Sequence, residues 1–446
     1  MGLVAALLIV ITPQGVETTV ISGLLMLVLA MATKKQGTVL HPAVLLGLGL
    51  ALFGLLGYTI YPHVRENGPI PHIYRFTAEE WRSAYYLVAI FAATCALVAI
   101  LMPSARSTAT GRQGLGDLPP LARAGMLAAA LLTSLALLAG ADLSAMWSRD
   151  GYQDFYGEFV EAFRVGSALS LAAGLSAFVI LQHQSSSLLE KITAGVAISV
   201  LVFVAAATSS RELALIPILY VLACWLAKGR FPSVAVLVLV GTLVLASFSA
   251  VIHWRESGEH GLSSYINQAV QSPWEVSTGQ LPRMIANTLD GYPNAAFTSS
   301  ERALPLSSSD FLLALNPLPG ESLGYYEYYR DYRVFRYIPY GTVGMLGRIG
   351  AVYGVLFYAA LGIGLSALWR AAHKNPVRAA IGRPILVGGT LLIFLMSMQY
   401  ALRSTARIAT ILLIALPLTF LVLRANESAV DEESKQRLPA PSSRAP

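Results

Sequence analysis

Long apolar runs constrain this chain of 446 residues more than any other feature. A helix that crosses roughly 30 Å of hydrocarbon needs about 20 mostly apolar residues. Residues 1–12 are apolar, lack the basic start of a signal peptide, and are a candidate twelfth span. Eleven other runs of suitable length carry little or no charge: 18–33, 42–62, 84–102, 124–141, 165–183, 192–209, 212–227, 232–252, 349–369, 384–402 and 408–423. The pattern predicts an all-α polytopic membrane protein with 11–12 transmembrane helices.

The composition agrees with a membrane protein and excludes several other classes. Only 13% of the residues are charged and the mean hydropathy is +0.60, whereas a soluble domain carries roughly 25% charged residues. A water-soluble enzyme, a disordered scaffold and a nucleic-acid binder are therefore poor fits. Cys95 and Cys224 both lie inside apolar runs, so neither a disulfide framework nor a metal site is predicted. We expect no metal and no cofactor.

The positions of lysine predict the orientation. Threading the runs alternately through a membrane places all six lysines on one side: Lys34, Lys35, Lys191, Lys228, Lys374 and Lys435. The positive-inside rule makes that side cytoplasmic. The net charge of +6 is then explained by topology, without nucleic acid. Residues 425–446, rich in Glu, Ser and Pro, are predicted to be a disordered cytoplasmic tail.

The opposite face carries fifteen of the 25 arginines, most of the acidic residues and no lysine. The largest group of these charges lies in residues 253–348, a segment far longer than the usual connection between helices, and such segments are commonly functional. The predicted organisation is eight or nine transmembrane helices in 1–252, one long extracytoplasmic loop in 253–348, and three transmembrane helices in 349–424. We expect that loop to be folded and the chemistry to lie outside the cytoplasm.

The densest motif of the loop is a tyrosine- and arginine-rich stretch at 325–341, with seven tyrosines and three arginines. Aromatic faces pack on sugar rings, and guanidinium groups bind phosphate with two hydrogen bonds. An interfacial aromatic belt with snorkelling arginines is the alternative. The candidate glycan-binding residues are Arg330, Arg333, Arg336, Tyr325, Tyr328, Tyr332 and Tyr337.

Four arginines at the outer ends of predicted spans form a second set: Arg211, Arg348, Arg403 and Arg407. Ionisable side chains at such depth are expensive and usually functional. Ser209 or Ser210 can cap the helix that follows Arg211, and Glu212 could pair with this arginine. Together the four leave positive charge that suits a pyrophosphate at the membrane surface.

Three residues compete for the role of general base: His260, Asp310 and Glu256. A solvated loop histidine is the alternative for His260, and a helix N-cap is the alternative for Asp310. The sequence contains no Walker loop, no His-Glu-x-x-His motif and no serine elbow, so neither ATP-driven transport nor metalloprotease chemistry is supported.

Several short motifs accompany the long late loop: His41-Pro42 after a Lys-Lys pair, Ser-Ser-Arg211 at the start of a span, Leu313-Ala-Leu-Asn-Pro-Leu-Pro-Gly320, and Tyr340-Gly-Thr-Val-Gly344 running into a helix. On these motifs the chain resembles the bacterial O-antigen polymerases, also called oligosaccharide repeat-unit polymerases. It departs from many relatives at Met345, where they carry a Glu after the glycine, so the role of that acid cannot be transferred.

The resemblance implies an inverting, metal-independent glycosyltransferase of the helical GT-C type in the bacterial cytoplasmic membrane. Its substrates would be a donor and an acceptor oligosaccharide, both linked to undecaprenyl pyrophosphate, and a chain-length regulator protein is a candidate partner. An O-antigen ligase, which moves finished glycan to a lipid or protein acceptor, is the nearest alternative. A flippase for lipid-linked oligosaccharides is the alternative from another class, but it would need charge along the spans, which are almost free of it.

Overall fold

The computed structural model describes residues 16–68, 76–104, 118–151, 154–228, 232–316, 330–335 and 338–436. Ten helices in these ranges are long and apolar enough to cross a membrane. They are α1 Val16–Gln36, α2 Pro42–Val64, α3 Ala78–Leu101, α4 Pro120–Ala139, α6 Val160–Gln182, α7 Leu188–Ala207, α9 Val234–Glu256, α15 Ala351–Ala372, α16 Pro376–Gln399 and α17 Leu402–Gln436.

The prediction of an all-α polytopic membrane protein is therefore confirmed. Helix α8, Glu212–Lys228, has 17 residues and coincides with the remaining one of the eleven predicted runs. Residues 1–12, the candidate twelfth span, lie outside the described residues. Helix α17 continues to Gln436, into the stretch that we predicted to be disordered from residue 425. No proline interrupts that stretch before 439, and its alanine and glutamate residues favour helix.

Shorter elements fill the long segment between α9 and α15. They are α10 Leu262–Gln271, a π-helical turn Glu275–Gly279, α11 Leu281–Leu289, α12 Gly291–Ser299, α13 Ser308–Leu315, the strands β1 Arg333–Phe335 and β2 Ile338–Pro339, and α14 Thr342–Ile349. The two strands pair antiparallel, with Arg333 opposite Pro339. A further short helix, α5 Leu143–Trp147, lies between α4 and α6. The described part of the long segment is thus folded, as expected.

Side-chain caps fix where several helices begin. Thr77 with Glu80 and Ser187 with Glu190 form capping boxes at the starts of α3 and α7. In each box the first side chain accepts from a main-chain N–H of the helix, and the glutamate accepts from the N–H of the cap residue. These local signals set the helix starts on both ends of the bundle.

Helix α12 is packed tightly into the bundle. A Cβ at Gly57 of α2 would lie 2.5 Å from the ring of Tyr292 on α12, and a Cβ at Gly291 would lie 2.2 Å from the main-chain oxygen of Met398 near the end of α16. Both glycines are required because any larger residue would push these helices apart. Part of the long segment is therefore built into the transmembrane core.

The outer surface of the spans is apolar, as lipid contact demands. Leu27, Leu132, Leu239 and Leu356 are each more than half exposed. Unpaired main-chain groups are avoided because the spans are helical. We call the end of the bundle at which α9 ends and α15 begins the loop end, and the opposite end, where Lys34, Lys191 and Lys374 lie, the lysine end.

Candidate functional site

A polar cluster at the loop end joins side chains from four places in the sequence. It consists of Tyr61 near the end of α2, Arg211 before α8, Asn287 on α11, Asp290 between α11 and α12, and Gln399 at the end of α16. We call it the Arg211 cluster. It is the strongest candidate site in the described part of the chain, because it combines a cation with a buried carboxyl group.

The turn between α7 and α8 positions Arg211. Ser209 has a left-handed main chain with φ of 48°, which is uncommon for a residue other than glycine. The hydroxyl of Ser210 accepts from the N–H of Glu212 at 3.3 Å and so caps α8. The carbonyl of Ser209 accepts from Nε of Arg255 at 2.9 Å. Of the two serines considered as caps, Ser210 is therefore the one that contacts α8.

The side-chain hydrogen bonds of the Arg211 guanidinium go only to neutral side chains among the described residues. It donates to Oε1 of Gln399, and its other terminal nitrogen donates to Oδ1 of Asn287 at 3.3 Å. Glu212, the expected ion-pair partner, instead accepts from Ser170 at 2.8 Å and from Ser167 at 3.3 Å on α6. The hydrogen bonds therefore fix the orientation of the Arg211 guanidinium, and neither acceptor carries a negative charge.

Asp290 is the buried carboxyl group of the cluster, with 8% of its surface exposed. Tyr61 is hydrogen-bonded to it, and Oδ1 has no hydrogen-bond partner among the described residues. Burial raises the pKa of Asp290 to about 7, although the charge of Arg211 and the bond from Tyr61 act in the opposite direction. A carboxyl group with this pKa accepts or releases a proton near neutral pH, which is the property of a general acid or base.

The structure does not unite the four predicted pyrophosphate-binding arginines. Arg403 is buried and donates to the carbonyl of Leu313 at 3.2 Å, near the carboxyl end of α13. Arg348 donates to the carbonyl of Ala303 at 3.0 Å. Both contacts fix the fold of the long segment, and neither involves the Arg211 cluster. Arg407 is half-buried and makes no hydrogen bond or ion pair with the described residues.

None of the three predicted base candidates is a member of the Arg211 cluster, and each contacts other residues. His260 is buried, forms a β-bridge with Arg149, and lies 3.3 Å through Nδ1 from the hydroxyl of Tyr265. Burial and the charge of Arg149 lower the pKa of His260. It is therefore not the solvated loop histidine of the alternative interpretation.

Asp310 and Glu256 also have identifiable partners. Asp310 accepts from the hydroxyl of Ser307 at 2.8 Å in a capping box at the start of α13. The cap of α13 is thus Ser307, with Asp310 as the third residue of the helix, which corrects the interpretation of Asp310 as the N-cap. Glu256 forms an ion pair with Arg283, and both side chains are more than 40% exposed. Arg283 lies one turn before Asn287, so Glu256 stands at the rim of the cluster.

The tyrosine- and arginine-rich stretch is described only in part. Arg336, Tyr325, Tyr328 and Tyr337 lie outside the described residues. Tyr332 packs edge-on against Tyr340, with ring centroids 5.8 Å apart. Arg330 and Arg333 are exposed at the loop end. The described members are therefore an aromatic pair beside two solvent-facing arginines.

An apolar cavity of about 330 Å³ opens between α4, α6, α16 and α17. Its walls are almost entirely aliphatic, and its lining on α17 runs from Ile408 to Thr419. Arg407 directly precedes Ile408, so the half-buried arginine marks the loop-end limit of this lining. A cavity with such a lining can accept an apolar ligand.

Sequence reasoning missed Asp290, Asn287, Gln399 and Tyr61. Asp290 stands in Leu-Asp-Gly-Tyr, which is typical of an exposed turn. No local signal distinguishes it from other loop carboxylates, because its burial is created by distant helices. Among the described residues, no group of three or more His, Cys, Asp or Glu side chains is placed to hold a metal ion.

Comparisons with known proteins returned no match: no family model, no curated protein and no solved structure is significantly similar to this chain.

Proposed function

We propose that this protein is a membrane glycosyltransferase that polymerises oligosaccharide repeat units linked to undecaprenyl pyrophosphate. The reaction would take place at the loop end, on the outer face of the bacterial cytoplasmic membrane. One observation carries the proposal: the guanidinium of Arg211, which forms no ion pair within the described residues, is held in the same cluster as Asp290, a buried carboxyl group with a pKa of about 7. A base for the attacking hydroxyl and a cation for the departing pyrophosphate are the two groups that would accelerate glycosyl transfer from a pyrophosphate.

The chemistry divides between the two residues. The acceptor hydroxyl oxygen attacks C1 of the donor sugar, and the bond between C1 and the pyrophosphate oxygen breaks with inversion. Asp290, ionised, takes the proton of the attacking hydroxyl. Arg211 stabilises the negative charge that develops on the departing undecaprenyl pyrophosphate. A single preorganised donor of this kind commonly contributes about 10²–10³-fold to the rate.

The apolar cavity supports a lipid-linked substrate. Its aliphatic lining on α17 begins next to Arg407 and continues along the helix to Thr419. A polyprenyl chain would lie in the cavity with its phosphates at the loop end, the end of the bundle at which both Arg211 and Arg407 lie. Arg330 and Arg333 are exposed at the same end, where they would contact the glycan. Arg403 and Arg348 would position the long segment through the carbonyls of Leu313 and Ala303.

The ligase and flippase alternatives predict different products. A ligase makes a single transfer, and a flippase moves glycan without forming a bond. Charge in a flippase would line the path through the membrane. Here the Arg211 cluster lies at one end of the bundle, which favours chemistry at that end over passage.

The test is an in-vitro reaction of the purified protein in detergent. The substrates are lipid-linked oligosaccharides extracted from a deletion strain of the native host, and the products are separated on a gel. We expect a ladder of lengths, lost in Arg211→Ala and in Asp290→Asn. The matched controls are Arg164→Ala and Glu301→Gln, which change exposed residues of the same charge. A single product would favour a ligase, and an unchanged ladder in both cluster variants would refute the proposed site.

A further inference from the structure

The lysine end carries a second cationic cluster that the proposed reaction does not use. His41 at the start of α2, Trp369 and Arg370 in the last turn of α15, His373 just after α15, and Arg383 on α16 come together there. We call it the lysine-end cluster. Helix α2 is distant in the sequence from the consecutive helices α15 and α16, so the cluster is a feature of the tertiary structure.

Ring contacts define its geometry. Trp369 stands at the centre, with its ring centroid 6.0 Å from that of His41 and 4.7 Å from that of His373. The guanidinium carbon of Arg383 lies 6.0 Å from the same ring centroid. Nδ1 of His373 is 2.7 Å from the carbonyl oxygen of Trp369, which fixes the orientation of the imidazole. The tryptophan ring thus packs against two imidazoles and one guanidinium.

Several polar atoms of the cluster lack a hydrogen-bond partner among the described residues. His41 is 1% exposed, and neither of its ring nitrogens is hydrogen-bonded. Nε of Arg370 and Nε of Arg383 are buried and also unbonded. Buried polar groups nearly always have a hydrogen-bond partner. Three side chains without one at the same place therefore indicate a ligand with several acceptor oxygens.

The charge of the cluster selects an anion. Arg370 and Arg383 form no ion pair with any residue whose side chain the structure describes. Burial lowers the pKa of His41 to about 4, with His373 and Arg370 adding to the effect. The pKa of His373 falls to about 4 for the same reason, with a contribution from Arg383. The neighbouring groups therefore create a positive potential that an anion would relieve.

We propose that the lysine-end cluster binds a phosphate group, presented by the headgroup of an anionic phospholipid in the adjacent leaflet. Arg370 and Arg383 would donate charge-assisted hydrogen bonds to the phosphate oxygens, and a ring nitrogen of His41 would donate a third. Basic pockets between helices at the cytoplasmic side are known binding sites for such headgroups. The site is separate from the Arg211 cluster and does not depend on the proposed reaction.

Native mass spectrometry of the full-length protein in detergent tests this inference. Phosphatidylglycerol and phosphatidylcholine are titrated separately, and inorganic phosphate is then added as a competitor. We expect phosphatidylglycerol to bind at least tenfold more tightly than phosphatidylcholine. Displacement by millimolar phosphate would assign the site to a free phosphate group, and resistance to it would assign the site to the lipid.

The variant Arg370→Gln/Arg383→Gln should lose the preference for phosphatidylglycerol by about tenfold or more, because two charge-assisted hydrogen bonds are removed. The control Arg65→Gln/Arg82→Gln removes two arginines at the loop end and should bind as the wild type does. If the glutamine variant does not fold, Arg383→Lys is the substitute, because it keeps the charge but removes the planar donor pair. We expect it to reduce the preference for phosphatidylglycerol about threefold. Equal affinity for the two lipids, or unchanged preference in the variants, would overturn the proposal.

Discussion

Replacing Asp290 by asparagine is the most direct test of the Arg211 cluster. Asparagine keeps the size of the side chain and removes its ability to accept a proton. The pKa of about 7 places the change in ionisation inside the range in which glycan synthesis is easily assayed. If Asp290 is the base, only its ionised fraction is active.

The expected magnitude follows from that pKa. About 1% of Asp290 is ionised at pH 5, about half at pH 7 and nearly all at pH 9. The initial rate of the wild type should therefore rise about 50-fold from pH 5 to pH 7 and only about twofold above pH 7. General base catalysis contributes about 10²–10⁴-fold, so Asp290→Asn should lose at least 100-fold at pH 8 and show a flat profile.

Stability provides a readout that does not depend on activity. The pKa of Asp290 is higher in the folded protein than its ordinary value of 3.8, so the folded state binds more protons than the unfolded state between these two values. The free energy of unfolding should fall as the pH rises from about 4 to about 7, by a contribution on the order of 4 kcal/mol. In Asp290→Asn, which has no carboxyl group at this position, the thermal unfolding midpoint should not show the corresponding fall between about pH 4 and about pH 7.

The two assays together can refute the reasoning. The rate is measured as ladder formation from extracted lipid-linked oligosaccharides between pH 5 and pH 9, and unfolding is followed in the same detergent. Glu301→Gln, an exposed change of the same type, serves as the control. If Asp290→Asn had a nearly wild-type rate and the same rise in rate between pH 5 and pH 7, Asp290 would be eliminated as the base. This would hold even if the pH dependence of unfolding changed as expected.

Three further predictions concern the arginines and the packing of α12. Arg211→Ala should reduce ladder formation by about 10²–10³-fold with normal protein level, whereas the exposed control Arg164→Ala should not change it. Arg403→Ala should instead lower the thermal unfolding midpoint, because this buried side chain holds the carboxyl end of α13, and an unchanged midpoint would contradict that role. Gly291→Ala should destabilise the protein by about 1–3 kcal/mol in an unfolding measurement, since the new methyl group would lie 2.2 Å from a main-chain oxygen of α16. The control Gly195→Ala places its methyl group in open space on α7 and should be neutral or stabilising in the same measurement.

The transmembrane helices could be predicted because their signal is local. An apolar run of sufficient length must form main-chain hydrogen bonds within itself in lipid, whatever its neighbours are. For the same reason the capping boxes at Thr77 and Ser187 are readable in the sequence. The prominence of Arg211 was also predictable, since a lone arginine between two apolar runs is rare.

The contacts of the other candidates could not be predicted because they depend on distant elements. Arg403 is local to the start of α17, but its partner is a carbonyl of α13, about ninety residues earlier in the chain. His260 became buried through its bridge to Arg149, which lies in a different connection. Spacing along the chain gives no information about such pairs.

Asp290 illustrates the same limit most clearly. Its sequence context is that of a turn, and its high pKa exists because α2, α11 and α16 exclude water around it. Alone, the sequence determined that the chain spans a membrane, where its helices run and at which ends its charges gather. Only the tertiary structure decided which charges meet, because burial and pKa depend on what packs against a group and not on its neighbours along the chain.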